Sequence, residues 1–373
     1  MRFRSLNPFE NPELTRQVWL ELQDKCPPGF FNAWEWVSTW LACLPKETPL
    51  WLIVGYATDQ PVLAFFVGQH RRRRHGILPT RTLNLNATGS EYFDTLTIEY
   101  NSILVDPAHP VAWHALLQHL GALAWDEFGL PGCTHELHEQ LTGTDLRQSN
   151  LYLTYDRIAN SHFVELQTIR DSGMDYLKLL SSNKRSQIRR SLKQYEQDGP
   201  VLVREAETIS EALSMLEELA RLHQVTWVAR GETGSFSNEF FMQFHRSLIE
   251  ICFPQKKVQL LHIYNNKHTL GYLYNFIDDG QVLFYQSGLQ YGQGNNYRPG
   301  LVAHYLAILH NARLGMRRYD FLAGDTDYKM SLSTHSNPMY WVRLIKGRPR
   351  YLFETGFQKL KKIRAAQALQ NAE

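Results

Sequence analysis

Tyr319-Asp320-Phe321-Leu322-Ala323-Gly324-Asp325-Thr326-Asp327-Tyr328-Lys329 opens as an apolar strand and turns abruptly polar at Gly324. Upstream, residues 283–288 read as a strand and residues 300–314 as a helix stopped by Gly315. Residues 317–322 then read as a second strand. Such a crossover sets its two strands parallel, with their carboxyl ends facing whatever is bound. Gly324 permits a tight turn just past the second strand, and an acid, a phenol and an ammonium (Asp325, Tyr328, Lys329) follow. Polar groups of three kinds at the carboxyl end of a strand mark a candidate site.

Working outward, Thr208-Ile209-Ser210-Glu211 is a capping box. The helix it opens is expected to run to about residue 229, with Gly231 after it. Strands at 258–264, 270–277 and 281–288 follow, joined by Asn265-Asn266 and Asp279-Gly280, which predicts an antiparallel meander. In the first half, residues 50–57 and 62–70 form a hairpin around Asp59-Gln60-Pro61, and irregular strands lie between 82 and 105. A helix is expected from about 111 to 128, stopped by Gly129, and residues 134–141 alternate like a strand. The recurring β-β-β-α-β order predicts two copies of one α/β unit, as domains 1–160 and 161–373 packed together.

The length of 373 residues suits two domains, and the net charge of +2 gives no global nucleic-acid footprint. No apolar run approaches a membrane span, and Met1-Arg2-Phe3-Arg4-Ser5 has no apolar segment behind it. Cys26, Cys43, Cys133 and Cys252 are scattered, so a reduced, cytoplasmic protein is expected. His135-Glu136-Leu137-His138 spaces its histidines by three in a strand-like segment, and no metal site is predicted.

Leu213, Leu216, Ala220, His223, Trp227 and Arg230 share one helix face, which turns polar toward its end. That face points into a pocket, or His223 is a satisfied core histidine beside a core tryptophan. Arg185, Arg189 and Lys193, with Arg190 beside them, form either a phosphate-binding ridge or a solvated face. Arg71-Arg72-Arg73-Arg74 reads as charge guarding a strand edge. Glu91-Tyr92-Phe93-Asp94 faces a cleft or solvates a loop. Arg298-Pro299-Gly300 opens the crossover helix, whose free N–H groups suit a pyrophosphate.

Tyr285-Gln286-Ser287-Gly288-Leu289, Arg298-Pro299-Gly300 and residues 319–329 resemble the BioF2-like (CelD/BcsL-type) branch of the GNAT acyltransferases, related to the Fem aminoacyl ligases. Leu222-His223-Gln224-Val225-Thr226-Trp227 and Arg230-Gly231-Glu232 are similar to the same family. The resemblance implies two tandem GNAT-like α/β domains, mixed sheets flanked by helices, with the working site in the second. It implies transfer of an acyl group from acyl-coenzyme A, a co-substrate rather than a permanently bound cofactor, to an amine such as an amino sugar or a surface-polysaccharide precursor. His223 or Asp325 would then be the base, Tyr285 or Tyr328 the source of the final proton, and Lys329 the oxyanion's partner. Arg298, Gly300 and Leu301 would hold the donor, and Trp227, Arg230, Glu232 and Asp94 the acceptor. The chain departs from the usual GNAT signature around Gly300, which leaves the donor open. The alternatives are an aminoacyl-tRNA donor, as in the Fem ligases, and a catalytically silent partner in a polysaccharide-synthesis complex. The near-neutral net charge argues against tRNA.

Overall fold

The computed structural model describes residues 1–74, 78–292, 294 and 296–348, so the end of the expected second domain lies outside it. The first half runs β1 (Arg2–Leu6), α1 (Pro12–Lys25), α2 (Trp34–Cys43), β2 (Leu50–Ala57), β3 (Gln60–Arg74), β4 (Leu78–Leu85), β5 (Leu104–Val105), α3 (Trp113–Gly121), β6 (Glu127–Cys133) and α4 (His135–Thr142). Then come β7 (Leu151–Glu165), α5 (Leu166–Asp171), α6 (Ser182–Tyr195), β8 (Leu202–Glu205), α7 (Ile209–Val228) and α8 (Glu239–Cys252). The chain continues through β9 (Val258–Tyr264), β10 (Thr269–Asp278), β11 (Gln281–Leu289), α9 (Pro299–Arg313), β12 (Arg318–Ala323), α10 (Asp327–Leu332) and β13 (His335–Lys346). No helix among the described residues is long and apolar enough to cross a membrane.

All strands among the described residues join one mixed sheet in the order β1-β2-β3-β4-β6-β13-β7-β12-β11-β10-β9-β8, with β5 beside β3. The order is palindromic: each half supplies a meander, a crossover helix and a parallel strand, β4 with β6 and β11 with β12. The halves exchange their last strands. β7 follows β6 in the chain yet pairs with β12, and β13 follows β12 yet pairs with β6. β7 and β13 pair with each other along nearly their whole length, and the expected domain join after residue 160 lies inside β7.

On one face, α1, α2, α7 and α8 bury a core common to both halves, where Phe30 stacks on Phe276 at 4.2 Å and Trp36 meets Phe244 at 4.7 Å. On the other face α3 and α4 cover the first half, and α5, α6 and α9 the second. α7 lies directly on β11, because a Cβ on Gly288 would stand 2.1 Å from the carbonyl oxygen of Leu219. That approach places the polar end of α7 over the carboxyl end of β11.

Two sequence expectations are corrected. Residues 134–141 are helical: Thr134 caps α4 by accepting from the N–H of Leu137. Gly129 lies within β6, opposite Arg343, and the preceding helix stops at Gly121. β6 carries Gly129, Pro131 and Gly132, which read as breakers rather than as strand. Residues 71–74 pair with β4 on one side and lie past Gly68, where the pairing with β2 stops; Arg72 and Arg74 also neutralise buried Glu127, Arg72 at 2.5 Å, with Arg343 at 3.3 Å.

Candidate active site

β11 and β12 pair over only three registers, Gln281 with Arg318, Val282 with Tyr319 and Leu283 with Asp320, and then part. Asp320 accounts for the parting. Its buried carboxylate accepts from Ser161 Oγ at 2.6 Å, Tyr100 Oη at 2.6 Å and the N–H of Leu322 at 2.7 Å. The last bond turns Leu322 into the left-handed region at φ +59°, and pairing with β7 slips between Asp320 and Ala323. A branched side chain in that conformation stores roughly 1–3 kcal/mol, characteristic of a site whose surroundings impose its geometry.

The parted strands frame a cleft of about 1190 Å³. Lys329 Nζ, on α10, donates to the carbonyls of Ala323 at 2.7 Å and Leu322 at 3.2 Å. Gly324, at φ +129°, makes the turn between them, and a Cβ there would stand 3.5 Å from the ammonium. Burial lowers the Lys329 pKa, against the opposing pull of Glu99 and Asp320. Glu99 comes from the first half, is 7% exposed and accepts from the N–H of Ala323 at 2.6 Å. Burial pushes its carboxyl up to about 7, although Ala323 and Lys329 pull the other way. A carboxyl poised there can take a proton at neutral pH.

His223, Trp227 and Arg230 line the opposite wall. His223 is 4% exposed, and burial lowers its pKa, so the ring is neutral. Gln224 donates to the carbonyl of Thr233 at 2.7 Å and presents Oε1 to His223 Nδ1 at 3.2 Å, which puts the ring proton on Nδ1 and a lone pair on Nε2. Arg230 sits over the Trp227 ring at 5.9 Å. Arg298, Gly300 and Leu301 line the mouth at the start of α9, and burial, then the Arg298 charge, lower the pKa of Lys184 nearby. Tyr285 and Tyr328 both line the cleft, but the Tyr285 hydroxyl is committed to the carbonyl of Leu96. Tyr328 stacks on His304 at 5.5 Å, and burial raises its pKa.

Three residues named from sequence lie elsewhere. Asp325 turns away from the cleft to His162 Nε2 at 2.8 Å and Asn160 Nδ2 at 3.1 Å. Glu232 is exposed in the turn after α7, its N–H bonded to the carbonyl of Trp227 at 2.9 Å. Asp94 holds the 88–89 turn through Thr88 and Gly89 and lines a second cavity of about 490 Å³ between β4 and β6. Thr97 lines both cavities. Sequence reasoning missed Glu99 and His304. Neither has a local motif, since each belongs to the site through partners far along the chain or through a buried helix face.

Residues 182–330 match the family model described as an acetyltransferase (GNAT) domain. No curated protein matches the chain. Among solved structures, FemX is similar over 95% of this chain and 99% of that chain, at 11% identity and a TM-score of 0.58. A conserved protein of unknown function from Bacteroides thetaiotaomicron VPI-5482 is similar over 89% and 96%, at 10% identity and a TM-score of 0.53. L-PGS from Bacillus licheniformis is similar over 94% and 96%, at 10% identity and a TM-score of 0.50. At these identities the likeness is one of fold. The chain has a GNAT-like mixed α/β fold in two tandem copies.

Proposed function

We propose that this chain is an N-acyltransferase that moves an acyl group from acyl-coenzyme A to an amine. The observation that carries the reading is the meeting of Glu99 and Lys329 at the mouth of the parted β11 and β12 strands. The amine lone pair forms the new C–N bond, and the carbonyl pair moves onto oxygen, where Lys329 donates to it. Glu99 takes the proton released from nitrogen. The pair then returns, the C–S bond breaks, and the thiolate leaves beside Tyr328, whose phenol stays protonated and donates a hydrogen bond. Asp325 is too far turned toward His162 to be the base in this scheme.

The donor's phosphates fit the first turn of α9, with Arg298 and Lys184 as counter-charges. His223, Trp227 and Arg230 make the acceptor's wall. The family resemblance favours an amino sugar or a surface-polysaccharide precursor there. The reading sets the reaction in the cytoplasm, where the donor is made.

A second reading, an aminoacyl-tRNA donor, is favoured by Arg189, Arg190 and Lys193. They are exposed on α6, whose Ser191 accepts from the N–H of Arg298 at 2.9 Å, and no ion-pair partner for them is found among the described residues. Thiol release across an acyl-coenzyme A panel with candidate amines tests the first reading, and transfer from charged tRNA tests the second. Gly300→Leu should weaken coenzyme A binding by on the order of tenfold, ~1.4 kcal/mol, with an unchanged melting temperature. Unchanged affinity by calorimetry would remove the donor from that end of α9.

A further inference from the structure

His304 lines the cleft and is 2% exposed, yet it has no part in the chemistry above. It lies on α9 one turn past Gly300, packed against Phe284 at 4.5 Å, Phe321 at 5.3 Å and the face of Tyr328. Its Nδ1 is 3.1 Å from the hydroxyl of Tyr319. Tyr319 is fully buried, and its hydroxyl has no other partner among the described residues. A buried phenol must place its proton, and the acceptor within reach is Nδ1. Tyr319 therefore donates, Nδ1 carries the lone pair, and the neutral ring holds its proton on Nε2. The opposite tautomer would strand a phenolic proton in an apolar shell. Nε2 has no protein partner among the described residues.

Lys329 spends two of its three N–H donors on the carbonyls of Leu322 and Ala323, leaving one for substrate. A developing oxyanion accepts more than one hydrogen bond, so the site needs a second donor.

We propose that His304 is that donor: its Nε2–H, held in this tautomer by Tyr319, hydrogen-bonds the carbonyl oxygen of the acyl donor alongside Lys329. The role rests on the acyl-transfer reading. No proton leaves the ring. As the amine attacks, the carbonyl pair moves onto oxygen and the Nε2–H bond to it shortens; as the leaving group departs, the pair returns and His304 is unchanged. Burial, reinforced by the Lys329 charge, lowers the His304 pKa to about 3, so the ring stays neutral through the physiological range.

Long-range ¹H–¹⁵N correlation on labelled full-length protein at neutral pH reads the tautomer without any substrate. A proton on Nε2 and a bare Nδ1 is expected for His304; a proton on Nδ1, or on both nitrogens, overturns the proposal. His304→Leu should lower turnover on the order of 10²–10³-fold with donor KM nearly unchanged, and His304→Gln, which keeps an N–H, should lose less. Tyr319→Phe should relax the tautomer preference and lower turnover on its own, which decides the matter if His304→Leu does not fold. Folded His304→Leu with wild-type turnover overturns the role of His304 and leaves acyl transfer standing. A wild-type protein that transfers no acyl group from any coenzyme A ester or charged tRNA overturns both.

Discussion

At the scale of single residues, the site rests on two groups that burial moves toward neutrality in opposite senses. Glu99 holds its proton more tightly than a solvated carboxyl, and Lys329 holds its own less tightly than a solvated ammonium. A base must be ionised to act, so turnover with a saturating amine should rise with pH through about 7 and level off above it. In Glu99→Gln that rise should vanish and turnover fall roughly 10²–10⁴-fold; a pH–rate profile that keeps the limb at about 7 would assign it to another group. Lys329→Met keeps the apolar stem and removes the ammonium. It should cut turnover roughly 10²–10³-fold with near-normal melting temperature and donor binding. The competing role is structural, since Lys329 caps two carbonyls at the end of β12, and rates like wild type in a folded variant would establish it.

At the scale of elements, the contact of α7 with β11 aims His223, Trp227 and Arg230, and it depends on Gly288 having no side chain. Gly288→Ala should destabilise the protein by about 1–3 kcal/mol, read as a lower denaturation midpoint; an unchanged midpoint would show that α7 can ride outward freely. Much at this scale was legible in the sequence. Thr208 caps α7 by accepting from the N–H of Glu211 at 3.2 Å, and the three meander strands and the parallel crossover stand where turn and cap residues put them. Legibility failed where tertiary pairing overrides local pattern. β6 holds Gly129, Pro131 and Gly132, which read as breakers, and α4 is a short helix whose cap at Thr134 was read as part of a strand. For the site, Lys329 and His223 were legible because they lie beside a glycine turn or on a periodic face. Glu99 was not, because it reaches Ala323 across 224 positions and only the fold joins them.

At the scale of the whole molecule, the exchanged strands β7 and β13 join the halves through one sheet. Denaturation followed by tryptophan fluorescence and by far-ultraviolet circular dichroism should give one coincident transition. Residues 1–165 or 166–348 expressed alone should show no cooperative transition; a sharp one from either piece would mean that the exchange contributes little. The exchange also bears on biosynthesis. A ribosome delivers strands in coded order, so β6 emerges with the edge that β13 will occupy still open. Roughly two hundred residues must be added before that edge closes, on the order of 10–40 s at ~5–20 residues per second. Throughout that interval the nascent chain carries an open strand edge, a template for pairing with a neighbouring copy on the same message until β13 arrives.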